Sequence, residues 1–191
     1  MPNTNAPFGF RQASGNGSAP TYEQVTRKIA SGNGTAIYFG DAVIPLSTGY
    51  IAQATASTVS LAGVFTGCTY LSTSQKRTVW SNYWPGSDAN GDVTAYIVND
   101  PNARFVVQAG ATAVTLTDVG ANIQLNVGTG TPATGISGMF VESPNTTNTL
   151  PFRVVDLVTS PPGANGTDSS LGYNLVIVGF NNLDNKNLTG I

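Results

Sequence analysis

The sequence predicts an all-β protein, a sandwich or barrel of short strands with an extended N-terminal arm and a C-terminal tail. Three observations point there. From residue 35 to residue 180, Val, Ile, Thr, Tyr and Phe crowd into twelve short runs. Gly, Pro, Asn or Asp bounds most of these runs. Some runs alternate: Val93, Ala95 and Ile97 fall on one face of a strand, and Thr94, Tyr96 and Val98 on the other. Runs of this length and spacing suit a sandwich or a barrel.

In chain order, residues 1–20 are rich in Asn, Gly, Ser and Pro, lack periodicity and read as an arm. Phe8 and Phe10 lie in it. Two aromatic rings are costly to leave in water, so the arm is expected to dock on its own subunit or on a neighbour. Residues 21–180 form the body. In its first segment, "TYEQVTRKIA", Thr21 and Gln24 have capping-box spacing, but Val25, Thr26 and Ile29 suit a strand, the reading preferred here. "RFVVQ" and "NLVIVGF" are more continuously apolar and are expected at the centre of a sheet. "NDPNA" is a turn, because Pro101 presets its own φ and biases Asp100 away from helix. Residues 160–170 read as a surface loop. Residues 181–191 have no core-like run and read as a tail.

Charge narrows the function classes. Only 9% of residues are charged and the net charge is −2, where an ordinary soluble protein carries about 25%. Eight Lys and Arg spread along the chain do not make a phosphate-neutralising patch, so no nucleic-acid partner is expected. No apolar stretch approaches the roughly 20 residues of a membrane span, so no membrane partner is expected either. The N-terminal residues lack the apolar core of a secretory signal. Histidine is absent, which removes the commonest general base and metal ligand. A surface with so few charges resists self-association poorly, which favours assembly with partners.

No motif reaches an enzyme signature, and no catalytic residue, cofactor or metal is expected. Cys68, the single cysteine, lies in the apolar run "VFTGCTYLS" and reads as a small buried hydrophobe. Asp88, Asn90 and Asp92 match the first ligand positions of a calcium loop. The pattern then fails, with Val93 and Asn99 where glycine and glutamate belong. Asn90-Gly91 reads as a hairpin turn. Asp156 sits inside the apolar run "FRVVDLV" and is expected to be buried and satisfied by an arginine or by backbone amides.

Both tryptophans fall in "TVWSNYWPG". On one continuous strand Trp80 and Trp84 would share a face, with Tyr83 opposite. Such a pair suits a sugar-stacking platform, or else the core or a subunit interface, where each ring buries on the order of 200 Å². The second reading is preferred.

Several motifs, in order, resemble a family of tailed-bacteriophage capsid decoration, or cement, proteins. They are "NAPFGFRQ", the Tyr83-Trp84-Pro85 turn, Asp100-Pro101, the Phe105–Gln108 strand, "LPFRVVDLVTSPPGANGTDSS" and "NLVIVGFNNLDNKNLTGI". The resemblance runs from about residue 6 to 191. It implies a β-rich structural protein on the outer surface of the virion capsid. Such a protein binds the major capsid protein at junctions between coat subunits, often as a homotrimer, and has no catalytic residues. The candidate partner-binding residues are then Phe8, Phe10 and Arg11 in the arm, Trp80, Tyr83 and Trp84, and Leu188 and Ile191 in the tail. Deleting residues 1–20 is expected to weaken shell binding and leave the body folded. The alternative is a carbohydrate-binding module on a phage surface or fibre.

Overall fold

Two antiparallel six-stranded sheets make up an all-β fold, consistent with a β-sandwich, in the computed structural model. The structure describes residues 3–15, 19–20, 23–158 and 167–186. Sheet one has the order β1 (Arg11–Ser14), β8 (Arg104–Gln108), β12 (Leu175–Phe180), β11 (Phe152–Leu157), β9 (Asn122–Asn126) and β10 (Phe140–Asn145). Sheet two runs β2 (Val25–Ile29), β7 (Val93–Val98), β5 (Gly63–Leu71), β3 (Ala42–Pro45) and β4 (Ile51–Gln53). Its sixth strand, β6 (Thr78–Ser81), pairs with the far end of β5 on the edge it shares with β3. Neither sheet closes. The expected strands at "RFVVQ" and "NLVIVGF" are β8 and β12, both interior. The Asp100-Pro101 turn carries the chain from β7 in sheet two to β8 in sheet one. Asp100 Oδ1 accepts the Asn102 N–H at 2.9 Å, and its carbonyl accepts that of Ala103.

Strand alternation divides the buried side chains into two clusters. On β7, Val93, Ala95 and Ile97 face a cluster under sheet two that includes Ile29, Ile37, Phe65, Cys68 and Trp84. Val98, on the opposite face, joins the cluster between the sheets, with Val64, Phe105, Val107, Ile123, Leu125, Val176 and Val178. Burying a large apolar side chain contributes about 1.5–3 kcal/mol, so both clusters are substantial.

The N-terminal stretch differs from the expected arm. Its residues 11–14 are β1, paired with β8. Phe10 is 1% exposed and stacks on Phe152 at 4.3 Å, edge-on to Phe105, with Phe180 completing the aromatic set. Gly9 makes the inward turn possible. Its φ is +73°, and a Cβ there would lie 2.5 Å from the Ser137 Cβ. Further out, the Gln108 side chain accepts the Ala6 N–H and donates to Thr4 O, while Asn3 bonds the backbone of residues 168–172. A deletion of residues 1–20 therefore removes core, and the body is not expected to tolerate it unchanged.

The start of the expected tail also packs against the body. Leu183 is buried and bridges Leu61, and a single 3-10 turn, Asp184–Lys186, follows. Leu188 and Ile191 lie outside the described residues.

Asp156 departs from expectation too. It is exposed and, among the described residues, accepts only its neighbour's N–H, from Leu157 at 2.8 Å. A bulge between Val154 and Asp156 shifts the register with β12, so Asp156 does not follow Val154 into the core. The buried acid is Asp41, 1% exposed, whose carboxylate accepts the Tyr38 N–H and the Gln53 amide, each at 2.8 Å. It ties the segment before β3 to β4. Desolvation pushes its pKa up, opposed by hydrogen bonds from Ser137, Tyr38 and Gln53. A raised carboxyl contributes stability below the ordinary value of 3.8, and this is lost as pH rises through the folded value. The stability of wild type relative to Asp41→Asn is therefore expected to fall as pH rises through that window. Urea unfolding of both proteins from pH 4 to pH 8 checks this, and a constant difference contradicts it.

Candidate binding face

The site is built on the overhang of sheet two, where β5, β6 and β7 extend past the inter-sheet core. Paired residues on adjacent antiparallel strands share a face. Trp80 pairs with Thr69, Thr69 with Thr94, and Thr94 with Lys28. One row thus crosses β6, β5, β7 and β2, spanning about 14 Å at about 4.8 Å per strand. Tyr96 lies on the same face one row along, opposite Gly67. Leu71 and Thr78 flank Trp80 at the hairpin end.

Trp80 is 66% exposed, although its indole rests on the sheet. Gly67 is the reason. A Cβ there would lie 3.0 Å from Trp80 Cζ2 and 3.0 Å from Ser81 O, so only glycine lets the ring down onto β5. Leu71 beside it is 42% exposed. Around these two apolar groups the face is polar. The Thr69 and Tyr96 hydroxyls lie 3.3 Å apart, and the Lys28 ammonium donates to Thr94 Oγ1 at 2.8 Å. That leaves the ammonium two further protons for a ligand.

The β5–β6 hairpin tip is held from below by Asp88. Its carboxylate accepts from Ser72 Oγ at 2.6 Å, Thr73 Oγ1 at 2.8 Å, and both the N–H and the hydroxyl of Ser74. These bonds, led by the one from Ser72, hold its pKa well below the usual carboxylate range. The clasp presents Lys76 and Arg77 at the tip, both exposed. Asp92 turns elsewhere, accepting the Tyr50 hydroxyl at 2.9 Å and the Ser31 N–H. Asp88 and Asp92 thus do not converge on a common point. Asn90-Gly91 forms a turn, with Gly91 at φ +90°. It is not a hairpin turn, because β6 and β7 lie on opposite edges of β5.

The other candidates separate. Trp84 is 0% exposed, edge-on to Tyr70 at 5.4 Å, with its Nε1–H donated to Asn33 O. It does not share a face with Trp80. Strand β6 ends at Ser81, the chain bends, and Trp84 bridges Ile37 instead. Tyr83 is half-buried and stacks on Tyr38 at 5.5 Å. Phe10 is core. Phe8 is half-buried, with the exposed Arg11 guanidinium 4.6 Å over its ring. Cys68 is buried and packs as a small hydrophobe, and desolvation pushes its thiol up to about 12. It stays protonated and is a poor nucleophile.

Thr69, Tyr96, Thr94 and Lys28 were not singled out from the sequence. The alternation in β7 placed Thr94 and Tyr96 together, but which strands lie beside β7 is not written locally. No protein-family model, no curated protein and no solved structure matches this chain. The resemblance to capsid decoration proteins rests on the sequence motifs themselves.

Proposed function

We propose that this chain is a structural protein that binds the outside of an assembled phage capsid and stabilises contacts between coat subunits. The observation that carries the proposal is the N-terminal seam of residues 3–14. Phe10 and Gln108 fix this stretch to the body, and β1 is the edge strand of sheet one. An edge strand offers unpaired backbone groups to a partner. Arg11 opens this strand with its guanidinium over the Phe8 ring, an apolar ring capped by a cation, and aromatic residues and arginine are both frequent interface anchors.

The electrostatics support a passive binder. The acids with perturbed pKa values serve local structure. Asp41 ties β4 to the segment before β3, Asp88 clasps a hairpin, and Asp168 accepts the Ser170 hydroxyl and N–H. Contacts of modest strength suffice when many copies bind one lattice, since linked contacts gain effective concentration.

The test is co-sedimentation with capsid shells stripped of this protein. The double variant Phe8→Ala, Arg11→Ala is expected to bind at least about tenfold more weakly, the usual scale for losing an interface anchor. Its unfolding transition is expected to stay near that of wild type. Full binding by the double variant contradicts the seam as the contact.

A further inference from the structure

Beyond capsid binding, we infer that the Trp80 face is a binding site for an acidic polysaccharide, a chain containing hexuronate units. Three features of the face match three features of such a ligand. The exposed indole, held down on Gly67, offers an aromatic surface to the C–H face of a pyranose ring. The row of Thr69, Thr94 and Lys28, with the Tyr96 hydroxyl beside it, offers donors and acceptors along about 14 Å of sheet. That length suits a short oligosaccharide laid across the strands.

Charge selects the acidic class. The chain as a whole is net negative, yet Lys28 lies at one end of the face and Lys76 and Arg77 at the other, all exposed. Asp88 and Asp92 accept hydrogen bonds from Ser72, Thr73 and Ser74 and from Tyr50 and Ser31 and keep their charge, so the three cations still outnumber these two acids. Lys28 ends the row that begins at Trp80, and Lys76 and Arg77 lie beyond Trp80 in the β5–β6 tip, so carboxylates spaced along a polymer that crosses the indole meet cations at both ends. A protein partner is the less apt occupant, because Trp80 and Leu71 are the only large apolar side chains exposed on this face among the described residues and interface cores are broader and more apolar.

The experiment titrates the purified full-length protein with hexuronate oligomers: oligogalacturonate, oligomannuronate and a glucuronate-containing oligomer. Neutral gluco-oligosaccharides of equal length are run beside them, with tryptophan emission as the readout. Trp84 is buried, so the change reports Trp80. At least one hexuronate oligomer is expected to produce a saturable change, weakened by salt. Trp80→Ala is expected to abolish binding measured by calorimetry while near-ultraviolet dichroism still shows Trp84 packed. The triple variant Lys28→Gln, Lys76→Gln, Arg77→Gln is expected to bind at least tenfold more weakly. No response to any of the three hexuronates overturns the inference, as does binding that survives Trp80→Ala. Equal affinity for the neutral oligomers, unchanged in the triple variant, overturns the acidic class. None of these outcomes depends on whether the protein binds a capsid.

Discussion

Replacing Phe10 by alanine is expected to destabilise the protein by about 3–5 kcal/mol, the range for deleting a large ring from a packed core. The ring is 1% exposed and contacts Phe105 and Phe152, which in turn pack on Phe180. Removing it leaves a hole among side chains anchored on three separate strands of sheet one. These strands cannot all close in without breaking ladder bonds, so little relaxation is available. For a chain of this length each kcal/mol moves the melting temperature by about 2–4 °C. A fall of roughly 6–20 °C is therefore expected in a thermal scan. The result separates two views of the N-terminal stretch. A flexible arm that docks only on a partner predicts no change in the isolated protein. A stretch that completes the core predicts the full loss.

Trp84→Ala is the second large effect, also about 3–5 kcal/mol. The indole is fully buried, lies edge-on to Tyr70 and donates to Asn33 O at 3.1 Å. Truncation opens a cavity under sheet two and strands a carbonyl that the indole had satisfied. Trp84→Phe refills much of the volume but not the donor, so it is expected to recover part of the loss. Trp80→Ala, four residues away and equally aromatic, is expected to change stability by less than about 0.5 kcal/mol, as for other exposed sites. Urea unfolding of the three variants checks the order. Equal losses for Trp80 and Trp84 contradict the separation of the two rings.

That separation shows what was legible in the sequence and what was not. The all-β class was readable, because β-branched runs and turn residues report on local backbone preference. The faces of β7 were readable, because alternation holds along an uninterrupted strand. The tryptophans were misassigned to one face because the same rule was carried past Ser81, where β6 ends and Tyr83 N–H turns back to Ser81 Oγ at 3.2 Å. Asp156 was misplaced for a related reason, since one extra residue in β11 resets the period. Phe10 lay in a stretch whose composition reads as loop, and its partners Phe105 and Phe152 are distant in sequence. The candidate face was hidden because it is assembled from four strands whose lateral order follows from topology. Its one local clue was Gly67 inside an apolar run, a residue that marks close approach in a strand.

The proposed structural role on a capsid is tested most directly by the copy number of this protein relative to coat protein in purified virions, by quantitative mass spectrometry. The account predicts a ratio near one, or another simple fraction fixed by shell symmetry, as a lattice-wide binder requires. A handful of copies per particle, or none, would contradict it, and the Trp80 face would then stand as the principal functional surface.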